Sequence, residues 1–197
     1  MKLNYTPESA EGLPAEDASI YERVRRRRGG QLLPLDRALL HSPKLTDGWN
    51  SLLGAVRTKG CLSDDLREIC ILRPALINRA WFEWNHHAPI FEAAPGVTAA
   101  HIDVLSQLHP AGQGALNDRQ WAVLRYSDAM TNDVSVPEEV FDELRRLQFN
   151  EQEIVEITLT CAAYNMVSRF LVALDVGEAN GSVPAVVASH ERGRSTG

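Results

Sequence analysis

The feature that most constrains the fold of this chain is a long apolar segment that follows residue 150. Its apolar side chains recur every three or four residues, which is the spacing of one helix face. That face comprises Ile154, Ile157, Cys161, Tyr164, Val167 and Leu171. A second set widens it: Val155, Leu159, Ala162, Met166 and Phe170. Because a helix that is apolar nearly all round is buried on several sides, we expect a central helix that also contributes to a subunit interface.

Helical periodicity continues through most of the chain, and no segment shows the alternation of a half-buried strand. Capping signals divide the pattern into separate helices, such as Asn117 followed three residues later by Gln120. Ser63 is a candidate N-cap for a helix that would be kinked or broken near Pro74. The sequence therefore predicts an all-α protein with a single helical domain at residues 31–180.

The two ends of the chain lack this regularity. Residues 1–30 contain scattered prolines, glycines and acids, which predicts an extended N-terminal arm, and residues 181–197 predict a flexible tail. Four consecutive arginines stand at positions 25–28. They are either the solvated basic end of a short helix or an arm lying over an acidic neighbour or an anionic ligand.

Composition excludes several classes of protein. The chain has 197 residues, 44% of them hydrophobic, which is too apolar for disorder. Its net charge of −6 argues against nucleic acid as a main partner. No uninterrupted apolar run approaches the roughly 18 residues of a membrane span, and no signal peptide is evident. Three cysteines cannot form a disulfide framework, so we expect a cytoplasmic protein.

Candidate catalytic residues are concentrated in the middle of the chain. Glu83 and His87 lie one helical turn apart, and Glu68 on the preceding predicted helix could pack over the same face. A carboxylate beside an imidazole, walled by aromatic rings, is suited to proton transfer. The predicted substrate-binding residues are Asn78, Trp81, Trp84, His86 and Arg73.

Two other interpretations of this cluster remain open. Glu83 and His87 could form an ordinary surface pair beside core tryptophans. A metal site formed with His86 is disfavoured, because adjacent helical residues point about 100° apart. We expect no metal and no cofactor.

The same region resembles the carboxymuconolactone decarboxylase family, whose superfamily includes alkyl hydroperoxidase D. Residues 67–72 read Arg-Glu-Ile-Cys-Ile-Leu, and residues 78–87 read Asn-Arg-Ala-Trp-Phe-Glu-Trp-Asn-His-His. The resemblance continues through residues 93–97 and 164–170 and covers most of residues 35–177. It implies an all-helical fold, assembly into homotrimers or homohexamers, and a site close to the subunit contacts.

The resemblance also distinguishes two chemistries. The peroxidase branch carries a Cys-x-x-Cys pair, whose positions here fall on Ala80 and Glu83, while its glutamate and histidine match Glu68 and His87. Peroxide reduction by that route needs a thiolate and a resolving thiol. The cysteines of this chain have neither that spacing nor that position: Cys61, Cys70 and Cys161.

The match therefore implies the decarboxylase branch. We expect cofactor-independent decarboxylation or proton transfer on a small unsaturated lactone or keto acid, as in aromatic-compound degradation. Arg73, Arg79 or Arg169 could hold a substrate carboxylate. The alternatives are an alkyl hydroperoxidase-like antioxidant protein, and a helical oligomer that binds a small acid without catalysis.

Overall fold

Ten α-helices and one 3₁₀ turn form the part of the chain that this computed structural model describes. The description covers the backbone of residues 1–194 and the side chains of residues 1–191. The helices are α1 Ala15–Arg27, α2 Pro34–Leu39, α3 Pro43–Thr58, α4 Asp64–Ile77, α5 Trp81–Glu92, α6 Ala99–Leu105, α7 Asp118–Asp133, α8 Glu138–Arg146, α9 Glu151–Leu174 and α10 Ala185–Arg194, with the 3₁₀ turn at Val176–Glu178. This architecture confirms the predicted all-α class.

Helix α4 lies at the centre of the fold. Its four consecutive residues 69–72 have 0% exposure, so neighbouring elements cover the helix on every side. Helices α5, α7 and α9 pack around it. Pro74 lies inside α4, yet the helix continues to Ile77 rather than breaking. Proline this close to the helix end removes one backbone hydrogen bond, which the surrounding core tolerates.

Side-chain caps set the starts of two core helices as the sequence predicted. At the start of α7, the Asn117 side chain accepts a hydrogen bond from the Gln120 backbone, and the Gln120 side chain accepts one from the Asn117 backbone. Asn150 and Glu153 make the same reciprocal pair at the start of α9. Such boxes satisfy backbone donors that a helix start otherwise leaves free.

The prediction of an extended N-terminal arm is wrong for residues 15–27. These residues form α1, which packs along α3. Ile20, Tyr21 and Val24 share one buried face, with acids in the first turn and arginines in the last. This short apolar face and the charge order that suits a helix dipole together account for the helix.

The predicted flexible tail also contains a helix. Residues 185–194 form α10, and Val187 is 3% exposed within the main core. The expectation of a frayed end is therefore wrong for these residues, because an apolar side chain anchors them. The last three residues of that predicted tail, 195–197, lie outside the described residues.

Helix α9 is long and apolar enough to cross a membrane by length and composition alone. The core helix of a soluble protein passes the same test. Ile157 and Cys161 of α9 have 0% exposure and belong to the main core. Its apolar character is explained by its position between α4 and α7.

Candidate active site

A cavity of about 280 Å³ lies where α1, α3, α4, α5 and α9 approach one another. Its wall is mainly apolar, with a few polar groups, as is typical of small-molecule sites. Aliphatic and aromatic side chains of the wall include Leu33, Leu35, Trp49, Leu53, Phe82 and Ile90. The ionisable side chains fall into two groups, one at the buried side of the cavity and one made of arginines.

The buried group contains a chain of hydrogen bonds through His87. Nδ1 of His87 lies 2.6 Å from Oε2 of Glu68, and the Tyr164 hydroxyl lies 3.4 Å from Nε2. With a neutral imidazole, the carboxylate fixes the proton on Nδ1, and Nε2 accepts from the tyrosine. All three side chains are buried, and all three line the cavity. This arrangement can carry a proton between the cavity and a buried carboxylate.

Glu83 lies one turn before His87 on α5 and also lines the cavity. It is 3% exposed, and neither carboxyl oxygen has a hydrogen-bond partner among the described residues. Burial raises the pKa of Glu83 well above its ordinary value, and the charge of Arg57 opposes the shift while Glu68 adds to it. This shift favours the protonated form of the carboxyl group, which can donate a proton to a molecule in the cavity.

Tyr164 comes from the middle of α9, which places its hydroxyl beside His87. The two rings meet edge to face, with centroids 5.2 Å apart. Burial raises the pKa of Tyr164, Arg57 opposes this, and the carboxyl groups of Glu68 and Glu83, when ionised, add to it. The hydroxyl thus keeps its proton unless His87 accepts it.

The second group consists of arginines on three helices or their ends. Arg57 closes α3, Arg67 lies on α4, and Arg27 and Arg28 end α1. The run of four arginines at positions 25–28 therefore contributes two side chains to the cavity, those of Arg27 and Arg28. Arg28 also lies over an acidic neighbour, since its guanidinium makes two hydrogen bonds to Asp36 at 2.8 and 3.1 Å.

Four of the predicted site residues line this cavity: Glu68, Glu83, His86 and His87. His86 is exposed, its Nδ1 lies 2.6 Å from the carbonyl oxygen of Phe82, and its ring packs on the Phe82 ring. The antiparallel packing expected to bring Glu68 over the face of α5 is present.

The prediction that Arg73 holds substrate requires correction. Arg73 has 0% exposure, and its guanidinium pairs with Asp128 at 2.6 and 2.7 Å. It also donates to backbone carbonyls of Leu105, Gln107 and Leu108. All of its binding capacity is used in joining α4 to α7 and to the end of α6, so its role is structural.

The other three predicted binding residues also lie away from the cavity. Trp84 is 2% exposed in the main core, and Trp81 lines a separate cavity near α10. The Asn78 amide donates to Asn165 and Ser168 on α9. None of the three lines this cavity: the tryptophans lie on the core-facing side of α5, and Asn78 ends α4 with its amide bonded to α9.

The remaining arginine candidates are also engaged elsewhere. Arg79 pairs with Glu191 at 3.6 Å and lies over the Trp81 ring, and Arg169 bonds to Asn165. Neither lines the cavity.

Solved structures with the same arrangement of helices provide an independent comparison. A peroxidase-related protein from Silicibacter sp. TM1040 superposes with a TM-score of 0.71 at 19% identity, covering 91% of this chain and 94% of that chain. An alkylhydroperoxidase AhpD core protein from Ralstonia eutropha JMP134 gives 0.69 at 19% identity, covering 90% and 98%. The chain has the alkyl hydroperoxidase D fold.

A third similar structure is the debrominase Bmp8, in a cysteine-to-alanine variant bound to 2,3,4-tribromopyrrole. It gives a TM-score of 0.67 at 18% identity and covers 98% of this chain and 97% of that chain. No family model and no curated protein matches the sequence. The comparisons confirm the fold expected from the resemblance, and this fold includes enzymes.

The three cysteines of this AhpD-like chain lie away from the cavity. Cys61 is exposed, Cys70 and Cys161 are buried, and none of them lines the cavity. Burial raises the pKa of Cys70 and raises that of Cys161 to about 11, so neither is a ready thiolate. Among the described residues, no three His, Cys, Asp or Glu side chains are placed to hold a metal ion.

Sequence reasoning missed Tyr164 and Arg57 as cavity residues. Tyr164 was assigned to the apolar face of the central helix, where it is the one residue with a hydroxyl at its tip. A hydroxyl group on an otherwise apolar face indicates a polar neighbour, since a buried tyrosine hydroxyl usually has a hydrogen-bond partner. Nothing in the sequence marks Arg57 as a cavity residue, because its position depends on how α3 packs against the other helices.

Proposed function

We propose that this protein is a cofactor-independent enzyme that transfers a proton to or from carbon in a small organic acid or lactone. Decarboxylation and isomerisation both require this step. The observation that carries the proposal is the hydrogen-bonded chain from Glu68 through His87 to Tyr164, on the wall of a cavity that the buried carboxyl of Glu83 also lines.

In a decarboxylation, the bond between the carboxylate and the adjacent carbon breaks, and its electron pair moves toward a neighbouring carbonyl as an enolate. The apolar wall around Trp49 and Phe82 excludes water from the reacting group, which favours movement of the negative charge from the carboxylate into the delocalised enolate. Glu83 gives its proton to the carbon and becomes a carboxylate, which the charge of Arg57 stabilises. One proton from solvent then restores Glu83.

In an isomerisation, the hydrogen-bonded chain acts as the base. The Tyr164 hydroxyl passes its proton to Nε2 of His87 while its oxygen takes a proton from the substrate carbon. The imidazolium that forms is paired with Glu68. Glu83 returns a proton at the second carbon, which leaves the substrate with its original number of protons. His87 then loses its extra proton to solvent and Glu83 takes one up from solvent, which restores the enzyme.

The test is deuterium incorporation at carbon, measured by NMR in D₂O across a panel of unsaturated lactones and keto acids, with carbon dioxide release followed in parallel. Tyr164→Phe and His87→Ala should each slow turnover by about 100-fold or more. Tyr126→Phe is the matched control, since Tyr126 is also buried but bonds to Thr158 away from the cavity. Undiminished rates in both cavity variants would contradict the proposal.

A thiol peroxidase is the alternative that the names of the similar structures suggest. It requires a reactive thiol at the cavity, and the described residues place none there. We expect no hydroperoxide consumption with a dithiol donor. If consumption occurs, a variant with all three cysteines replaced by serine decides whether thiols cause it. Binding of acids without exchange or carbon dioxide release would instead favour a non-catalytic binding protein.

We also propose that copies of the chain assemble in the cytoplasm as a homotrimer or homohexamer. Val155, Leu159 and Met166 share one face of α9 and are 62%, 46% and 41% exposed. An apolar stripe of this kind is typical of a surface that a second copy covers. Sedimentation should give an oligomer that Leu159→Lys dissociates; a monomeric wild-type protein would contradict this.

A further inference from the structure

The arginines of the cavity carry more positive charge than their partners balance. Arg67 is neutralised by two acids, Asp64 at 2.8 Å and Glu68 at 3.3 Å. Arg28 is neutralised by Asp36, which is 1% exposed and also accepts from the backbone of Leu33. These two arginines have their charge and much of their hydrogen-bonding capacity used within the protein.

The other two arginines are different. Arg27 approaches the Asp36 carboxylate only at 3.5 Å, and Arg28 already holds that carboxylate with two shorter bonds. Arg57 makes no ion pair to any residue whose side chain the structure describes. Its Nε donates to the carbonyl of Leu53 at 3.1 Å within its own helix, which leaves the two terminal nitrogens of the guanidinium for another partner.

These two cations also act on each other. Burial lowers the pKa of Arg27, and the charges of Arg28 and Arg57 lower it further, with Asp36 opposing. Like charges held together at a partly buried site destabilise one another, and a bound anion relieves the repulsion. Glu83 lines the same cavity, and the burial that raises its pKa disfavours the charged form that would balance Arg57.

We propose that Arg57 and Arg27 together bind the carboxylate of a small organic acid at the mouth of the cavity. The acid then points its reactive carbon inward, toward Glu83 and the chain that ends at Tyr164. The inference deepens the proposed function by naming its substrate class, and the inward placement depends on that function. Binding of the carboxylate by the two arginines does not depend on the proposed function.

The inference gives α1 a role in selecting the substrate. A volume of about 280 Å³ lies near the lower end for small-molecule pockets, roughly 300–1,000 Å³, so the acid is compact. Guanidinium groups fit carboxylates by two parallel hydrogen bonds, which a neutral amide cannot match. Esters and amides of the same acids should therefore bind poorly.

Isothermal titration with matched pairs of acids and amides tests this. The probes are benzoate, 2-furoate, cinnamate and pyruvate, each paired with its neutral primary amide, at low ionic strength. At least one acid should bind about tenfold or more tightly than its amide, a difference of about 1.4 kcal/mol. Added salt should weaken the binding of the acid and leave the binding of the amide unchanged.

Variants of the arginines locate the effect. Arg57→Ala and Arg27→Ala should each weaken the binding of that acid by about tenfold and leave the binding of its amide unchanged. Arg57→Gln keeps most of the side chain and should give the same loss if Arg57→Ala does not fold. Arg26→Ala is the matched control, since Arg26 is exposed, lies next to Arg27 and does not line the cavity.

Each outcome bears on a separate claim. If no acid binds more tightly than its amide, or if Arg57→Ala and Arg27→Ala bind the acid as the wild type does, the inference is overturned. Tyr164→Phe should keep the binding of the acid and lose deuterium exchange. Acid binding without exchange in the wild type would refute the proposed function alone. Exchange on neutral lactones with no effect of the arginine variants would refute the inference alone.

Discussion

Replacing Glu83 by methionine should stabilise the protein while it removes activity. Glu83 is buried, and neither of its carboxyl oxygens has a hydrogen-bond partner among the described residues. A buried polar group without a partner costs about 1–3 kcal/mol, and methionine has a similar length without that cost. We expect Glu83→Met to raise the free energy of unfolding by about 2 kcal/mol, which corresponds to about 4–8 °C in Tm for a chain of this size.

The stability that Glu83→Met gains over the wild-type protein should grow with pH. The unfolded chain releases the Glu83 proton near the ordinary carboxyl pKa of about 4.3, whereas burial raises the folded-state pKa well above that value. Between the two values the folded state binds more protons than the unfolded state. Stability from Glu83 therefore falls as the pH rises through this window. The free energy of unfolding of Glu83→Met lacks this decrease with pH, so the variant exceeds the wild type by the smallest amount below about pH 4.

Urea unfolding at pH 4, 6 and 8 measures this difference directly, followed by circular dichroism. Glu92→Met is the matched control, because Glu92 is exposed on the same helix and its replacement should change stability by less than about 0.5 kcal/mol. If Glu83→Met destabilises the protein at pH 8, or if its effect does not depend on pH, the carboxyl has a stabilising interaction that the reasoning omits. Loss of deuterium exchange in a more stable protein would assign Glu83 to function.

Three further outcomes follow from the geometry. Arg73→Met should destabilise the protein by about 3–5 kcal/mol in urea unfolding, because it leaves Asp128 and three carbonyls without their donor; a loss below about 1 kcal/mol would contradict its structural role. Gly177→Ala should cost at least about 1 kcal/mol, since the glycine has a φ of +72° and a Cβ would meet the Phe82 ring. A thiol reagent should label Cys61 alone in the native protein, and rapid labelling of all three thiols would show that the core opens.

The sequence predicted the fold class and the grouping of Glu68, Glu83 and His87 because both depend on local spacing. Glu83 and His87 share a helix face wherever the helix lies, and the apolar pattern of α9 required burial. The contact of Glu68 with His87 followed from antiparallel packing of two neighbouring helices.

The arginines that line the cavity could not be predicted in the same way. Arg73 looked as available as Arg57 in the sequence, and only tertiary packing separates them. The first is enclosed by Asp128 and by carbonyl groups at the end of α6, while the second ends its helix at the cavity. The helix α1 was missed because its buried face has only three apolar residues within a very polar segment.

The charges of the cavity are consistent with a proton-donating cycle. An acid bound to Arg57 and Arg27 neutralises Arg57, the cation that opposes the raised pKa of Glu83, so the proton stays on Glu83 until a carbanion forms. Departure of carbon dioxide removes the carboxylate from Arg57. That arginine is then free to stabilise the Glu83 carboxylate that proton transfer leaves behind. A product without the carboxylate should therefore bind more weakly than its parent acid, and titration of both compounds checks this; equal affinities would contradict the cycle.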